Sequence, residues 1–154
     1  MSKKLFIHPN NMRMHPHVSL TESSMPRNTF PLKEHLKSKK VIERLYAEGT
    51  SVTAYPLRAV FIEQTADEQE VIAAILISVA KKRFRHAVDR NLVKRRIREA
   101  YRTSKHTFVE TLQNNGKRMA VAILYIDTRH NSTAFIKRKM ERLLNCIIAK
   151  SQVQ

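Results

Sequence analysis

The sequence contains only two glycines, one cysteine and no tryptophan among its 154 residues. The isolated Gly49 and Gly116 exclude the glycine-rich loop with which P-loop and dinucleotide-binding proteins hold phosphate groups. The single Cys146 excludes an intramolecular disulfide framework and a multi-cysteine zinc site. A lone cysteine is typical of a buried apolar position in a protein of the reducing cytoplasm. The longest apolar runs, 71–77 and 119–126, are far shorter than the ~20 residues that cross a bilayer. We therefore expect a cytoplasmic protein with no membrane partner.

Positive charge is the feature that the sequence has in excess. It carries 29 Lys and Arg residues against 13 Asp and Glu residues, which gives a formal net charge of +16. Such an excess predicts a polyanionic partner, most often a nucleic acid. Because 42% of the residues are apolar, the chain also has enough material for a hydrophobic core, and we expect a folded domain.

Hydrophobic periodicity divides the chain into a flexible N-terminal extension over 1–29, a single domain over 30–150 and a C-terminal tail over 151–154. The first predicted element is a helix that is capped by Ser38 and ended by Gly49 at positive φ. An extended stretch over 52–63, broken at Pro56, and a strand over 71–79 follow it. The remaining elements are a helix over 81–112, a strand over 119–126 and a helix over 133–150 that is capped by Ser132 or Thr133. This order, α-β-β-β-α-β-α, predicts an α+β two-layer sandwich, with helices covering the core face of one sheet.

The excess charge is concentrated in one predicted helix. Residues 81–106 contain eleven basic and only two acidic residues. Four of the basic residues recur at four-residue intervals and form a single row on the helix surface: Arg90, Lys94, Arg98 and Arg102. Like charges at this spacing disfavour an isolated helix by ~0.2–0.5 kcal/mol per pair, so the row is typical of a helix that lies against an anion. Arginine suits phosphate because its guanidinium group donates two parallel hydrogen bonds.

Other partners for this basic helix fit the sequence less well. Binding to a membrane surface needs a broad exposed apolar face, but the apolar side of this helix is required for the core. A DNA-binding regulator would need a short helix-turn-helix or a dimerisation heptad, and neither pattern precedes the helix. A non-catalytic RNA-binding assembly protein of ribosomal type remains an open alternative.

The residues around the basic helix resemble the signature of a known family. A strand end with a lysine pair, Ser78–Lys82, is followed by a short basic spacer and the basic segment Ala87–Arg102. Upstream, Leu36–Gly49 is similar to the first helix of the same family. Together these segments resemble the protein subunit of bacterial ribonuclease P over about residues 30–148. The resemblance implies an uncommon left-handed βαβ crossover, against the usual right-handed preference.

The resemblance also implies which residues of the RNA-binding domain contact RNA. Arg90, Asn91, Lys94, Arg95 and Arg98 match the arginine-rich signature of the family, and we expect Lys81, Lys82, Arg85 and Arg102 beside them to contact RNA as well. One arginine of the family signature is replaced by Leu92, which lies away from the row, so we expect the loss of a single contact. In the family, a cleft beside the first helix holds the 5′ leader of precursor tRNA. Ile42 and Tyr46 match its aromatic positions, with only Tyr46 keeping a ring. Phe61 is a candidate second wall, and packing in the hydrophobic core is the open alternative for both Tyr46 and Phe61.

We expect no catalytic residue and no metal ligand in this chain. Metal-assisted phosphodiester cleavage needs carboxylates that hold ions ~3.5–4 Å apart, and the only acidic cluster, Asp67, Glu68 and Glu70, falls in a polar loop where solvation is expected. In the family, the RNA subunit binds Mg²⁺ and carries out hydrolysis. The resemblance thus predicts the protein component of ribonuclease P, in a 1:1 complex with the catalytic RNA, acting on precursor tRNA and on no small-molecule substrate.

Overall fold

The computed structural model describes residues 28–153, so the predicted extension over 1–29 lies outside the described residues except for Asn28 and Thr29. After a 3₁₀ turn over Leu32–Glu34, the elements are α1 (Lys39–Glu48), β1 (Thr50–Ala54), β2 (Leu57–Gln64), β3 (Ala73–Val79), α2 (Ala87–Asn114), β4 (Arg118–Tyr125) and α3 (Thr133–Val153). The predicted α+β class and the element order are confirmed.

The four strands form one sheet in the order β1-β2-β4-β3. The pairs β1–β2 and β2–β4 are antiparallel, whereas β3 and β4 are parallel neighbours with Ala73 opposite Met119 and Val79 opposite Tyr125. Parallel neighbours need a crossover connection, and α2 supplies it. The predicted βαβ unit is therefore present, and its left-handed sense stays a prediction.

The main core lies between one face of the sheet and the helices α2 and α3. Alternate strand residues point into it, among them Ala59 and Phe61 of β2 and Val121 and Ile123 of β4. The helices contribute apolar residues at helical spacing: Val93, Ile97, Tyr101, Phe108 and Leu112 from α2, and Ile136, Met140, Leu143 and Ile147 from α3. This packing makes the basic helix α2 part of the core and fixes which of its sides is exposed.

A second, smaller cluster lies on the opposite face of the sheet under α1. It joins Leu45 of α1 to Val60 and to alanines of β3 and β4, which are small enough to let the helix approach. At the surface of this layer, the two guanidinium nitrogens of Arg44 donate to both carboxylate oxygens of Glu68 at 2.8 and 3.0 Å. Glu68 was expected to be solvated, but it instead connects the loop over 65–72 to α1.

The basic helix begins later than predicted. Its first residue is Ala87, whereas the sequence predicted a helix from residue 81. A turn closes at the N–H of Arg83, which donates to the carbonyl of Ala80, and the ring of Phe84 is then buried against the core. These contacts hold 80–86 as a loop, so Lys81, Lys82 and Arg85 are loop residues.

Among the turns and helix ends, two features agree with the sequence prediction and two differ from it. Pro56 separates β1 from β2, and Ser38 accepts a hydrogen bond from the N–H of Val41, as predicted. Gly49 was predicted at positive φ but has φ −68° and ψ 144°, so it ends α1 in an extended conformation. The expected tail at 151–154 is helical to Val153, because Ser151 is buried and its hydroxyl donates to the Ile148 carbonyl.

Candidate RNA interface

The exposed side of α2 and the loop before it form a surface of unpaired cations, here called the basic face. Within residues 28–153, the side chains of this face make no hydrogen bond or ion pair: Lys81, Lys82, Arg85, Asn91, Lys94, Arg95 and Arg98. All are exposed except Lys94, which is half-buried. Seven of the nine predicted RNA-binding side chains therefore lie together with their donors available to a ligand.

Arg90 has a different position from its neighbours in the row. One guanidinium nitrogen donates to the carbonyls of Phe84 and Arg85, each at 2.9 Å. Because both acceptors belong to the 80–86 loop, Arg90 holds this loop against the start of α2. The structure thus gives Arg90 a positioning role for the loop lysines in addition to the RNA contact that the sequence predicted.

The C-terminal end of the row is neutralised by acidic neighbours. Arg102 binds both carboxylate oxygens of Glu99 and also donates to the carbonyl of Asn28. One turn later Lys105, which is 9% exposed, binds Glu34 at 2.6 and 2.7 Å. Of the predicted row of four cations, Lys94 and Arg98 are therefore the two whose side chains make no hydrogen bond or ion pair within residues 28–153.

The predicted leader cleft has a different second wall. Ile42 and Tyr46 of α1 lie on the small-cluster side of the sheet, with Ile42 half-buried and Tyr46 50% exposed. Phe61 is 2% exposed and points to the main core on the opposite face, so its assignment to the cleft was wrong. The reason is the two-residue period of a strand, which sends Phe61 with Ala59 towards the helices α2 and α3. Ile62 is the neighbour that faces α1.

The floor of the cleft follows from the strand register. Arg58 lies opposite Leu124, and Leu124 lies opposite Ser78, so these three side chains form one row across the α1 face. Arg58 is exposed, whereas Leu124 and Ser78 are half-buried. The row places a cation beside an apolar patch at the end of the sheet where the 80–86 loop begins. Arg58 was not among the predicted RNA-binding residues, because it is a lone cation in β2, away from the basic cluster in the sequence.

A hydrogen-bonded loop over 127–131 supports the start of the basic face. The carboxylate of Asp127 accepts from the N–H of Thr128 at 2.7 Å and from the side-chain amide of Asn131 at 3.0 Å. The carbonyl of Asn131 accepts from Arg96 of α2 at 2.7 Å. The ring of His130 packs on Phe84 with centroids 4.8 Å apart. The loop therefore contacts both α2 and the 80–86 segment.

Acid should weaken this loop through Asp127. Burial raises the pKa of Asp127, but hydrogen bonds from Asn131 and from the backbone of Arg129 outweigh it and hold the pKa at about 2, below the ordinary 3.8. Because the pKa of Asp127 is lower in the folded state than in the unfolded state, its carboxylate stabilises the folded protein at pH values above the ordinary pKa of 3.8. This stabilisation is lost as the pH falls from 3.8 towards about 2. Urea unfolding between these pH values should show a steeper loss of stability for the wild type than for Asp127→Asn. Asp67→Asn, in an exposed loop, should follow the wild type.

A family model described as Ribonuclease P matches residues 30–148. This chain belongs to the ribonuclease P family. The "Ribonuclease P protein component" of Porphyromonas gingivalis is 35% identical over 111 residues, covering 72% of this chain and 80% of that protein. The protein of the same name from Chlorobium phaeobacteroides is 30% identical over 135 residues, covering 81% and 92%.

A solved structure shows that the ribonuclease P fold is shared. The Staphylococcus aureus RNase P protein superposes with a TM-score of 0.58 at 22% identity, covering 74% of this chain and 94% of that one. The resemblance inferred from the lysine pair and the basic segment is thus confirmed, and an assembly protein of ribosomal type is not favoured. The individual RNA contacts of this ribonuclease P protein remain predictions from its basic face and cleft.

Neither a metal-binding cluster nor a membrane-spanning helix occurs within residues 28–153. No group of three or more His, Cys, Asp or Glu side chains in 28–153 is placed to hold a metal ion. In the same range, no helix combines the length and the apolar character needed to cross a membrane. The groups that the structure does bring together at the surface are cations, an amide and apolar side chains, which suit a phosphate backbone and unpaired bases.

Proposed function

We propose that this chain binds the catalytic RNA of ribonuclease P in a 1:1 complex and assists it in removing the 5′ leader from precursor tRNA. The observation that carries the proposal is the basic face, where seven side chains with free donors lie on one helix and its preceding loop. Such a surface neutralises phosphates and favours compact RNA. We place this activity in the cytoplasm, where both proposed RNA partners would be present.

We assign hydrolysis and Mg²⁺ binding to the RNA subunit. Lysine and arginine side chains attract phosphate oxygens but repel a divalent cation, so the basic face is suited to replace Mg²⁺ as a counterion and not to hold it. The support for this assignment is the charge of the surface that would meet the RNA. The protein would thereby lower the Mg²⁺ concentration that the RNA needs for folding and cleavage.

The cleft beside α1 is our proposed site for the single-stranded leader. Tyr46 presents a half-exposed ring, Leu124 and Ile62 give an apolar floor, and Arg58 supplies a cation for the leader backbone. Stacking of a base on a tyrosine ring is typically worth ~1–3 kcal/mol and does not depend on the base. The cleft would therefore accept leaders of different sequence, as a general tRNA-processing activity requires.

The purified protein should accelerate cleavage of precursor tRNA by the catalytic RNA when Mg²⁺ is low. We expect a rate at least about tenfold above that of RNA alone, equivalent to ~1.4 kcal/mol, which one or two charged hydrogen bonds to phosphate can supply. The measurement is the single-turnover rate across a Mg²⁺ titration. An equal rate with and without protein at every Mg²⁺ concentration would contradict the proposed function.

The same assay separates the cleft from the basic face. Tyr46→Ala should reduce the gain for a precursor with a long leader and leave the gain for a one-nucleotide leader unchanged. Leu32→Ala, which truncates a side chain that is 71% exposed on the 3₁₀ turn before α1, provides the control. Equal losses for the two leader lengths in Tyr46→Ala would remove the cleft from leader binding while leaving the proposed function intact.

A further inference from the structure

A small cavity lies at the free edge of the sheet, outside the leader cleft. It has a volume of about 150 Å³ and lies between Arg98 of α2, the outer strand β3 and the segment that precedes α1. The cavity is lined by Ile77, which lies on the main-core face of the sheet, and by Leu76, which lies on the α1 face. The cavity therefore lies at the edge of β3 and not over either face of the sheet. Arg98 is the one lining residue that also belongs to the basic face, and none of the lining residues belongs to the leader cleft.

One wall of this edge cavity is a pair of stacked rings. The rings of Phe30 and His35 have centroids 4.3 Å apart and an interplanar angle of 21°. Phe30 is in turn held by the edge of Tyr101, whose ring centroid is 5.3 Å away and which is fully buried. His35 is therefore supported by a ring anchored in the core. A rigid ring at the surface is the kind of platform on which an unpaired base stacks.

The floor of the cavity offers backbone hydrogen-bonding groups. The N–H of Leu36 donates to the carbonyl of Ile75 at 3.0 Å, and His35 forms an isolated bridge with the same residue. Because successive residues of a strand direct their N–H and C=O groups to opposite sides, Ile77 presents its own pair to the same edge. Since β3 is the last strand of the described sheet, no strand in 28–153 pairs with it there. One donor beside one acceptor matches the edge of a nucleobase.

Charge completes the cavity. Arg98 and Lys37 both line it, both are exposed, and neither forms an ion pair within the described residues. A backbone phosphate would be attracted to these cations while its base occupied the cavity. A protein strand added to the edge fits less well, because only the four residues Leu76–Val79 of β3 extend past the bridge at Ile75. The open edge is too short for a stable β-ladder.

We propose that the edge cavity binds a single unpaired nucleotide of the RNA partner. Its base stacks on His35 and pairs with the backbone of Ile77, and its phosphate lies at Arg98 and Lys37. The inference rests on the proposed function, since it requires that the chain binds RNA. It adds a base-contacting site to an interface otherwise made of phosphate contacts and of stacking in the leader cleft.

The nucleotide can be located by crosslinking in the assembled ribonucleoprotein. A photoreactive group is attached to Lys37→Cys in a Cys146→Ser background, and the complex with catalytic RNA and precursor tRNA is irradiated. We expect one crosslinked site in an unpaired segment of one of the RNAs. Crosslinks only to base-paired RNA, or only to protein, would overturn the proposal.

The base itself is tested by removing it. An abasic residue at the crosslinked position should weaken binding of the wild-type protein by about 5- to 150-fold. His35→Ala should cause a loss of similar size with the intact RNA and little further loss with the abasic RNA. His35→Phe keeps the stacked ring and should retain most of the affinity, which separates stacking from folding. The control is His106→Ala, which removes an exposed histidine of α2 that does not line the edge cavity.

Failure of this inference is distinguishable from failure of the proposed function. If the wild-type protein accelerates cleavage at low Mg²⁺ but the abasic RNA binds it as tightly as the intact RNA, the edge cavity does not hold a base and the proposed function stands. If the wild-type protein gives no acceleration and no crosslink, both are wrong.

Discussion

Replacing Gly49 by alanine should lower the free energy of unfolding by about 3 kcal/mol or more, the upper end of the range for overpacking. A Cβ at this position would overlap the carbonyl oxygen of Leu45 and would lie 2.6 Å from Cγ1 of Val60. The first contact is backbone, which cannot rotate away. Gly116→Ala is the matched control, because Gly116 has a positive φ of 64° but an added Cβ would meet no atom within 4 Å. This substitution should lower the free energy of unfolding by only about 1 kcal/mol. Urea unfolding of the two variants measures both values.

The position of Gly49 explains why this loss also concerns function. A single residue joins the end of α1 to the start of β1, and its N–H donates to the Leu45 carbonyl at 2.9 Å. Any displacement of α1 moves Tyr46 relative to the sheet and changes the width of the leader cleft. We therefore expect Gly49→Ala to reduce the leader-dependent gain even below its unfolding temperature. Equal stability of the two glycine variants would show that α1 can shift at little cost.

Those properties that depend on one element alone could be read from the sequence. The apolar spacing of α2 and α3 predicted which side of each helix is buried, because a surface helix must direct its apolar stripe to the core. The cap at Ser38 and the break at Pro56 are likewise local. The lysine pair and the basic segment identified the family because they are contiguous in the chain.

Properties that depend on distant partners could not be read in this way. Lys105 counted as part of the basic cluster, but its partner Glu34 lies 71 residues away and becomes a neighbour only on folding. Residues 59–62 of β2 are all apolar, so this stretch has no alternation to show that Phe61 points to the main core and Ile62 to α1. The helix start at Ala87 depends on the burial of Phe84, which no local signal announces.

The triple variant Lys94→Ala, Arg95→Ala, Arg98→Ala should weaken binding to the catalytic RNA by about 100-fold or more at moderate salt. These side chains have free donors, so each is available for a phosphate. Loss of three phosphate contacts should reduce the slope of log affinity against log salt by about 2 to 3. Filter binding across a salt series measures both quantities. Arg102→Ala should leave the slope nearly unchanged, because its guanidinium is already bound to Glu99 and to the Asn28 carbonyl.

A second triple variant distinguishes a located interface from net charge alone. Arg138→Ala, Arg142→Ala, Lys150→Ala removes the same charge from exposed positions of α3, outside the basic face. If the RNA responds only to overall charge, both triple variants lose affinity and slope equally, and the basic face has no special role. If the RNA lies along α2 and the 80–86 loop, the α3 variant keeps most of its slope, because surface charges beyond a Debye length of ~8–10 Å from the phosphates are largely screened. The two triple variants have the same net charge, and circular dichroism of each checks that it is folded.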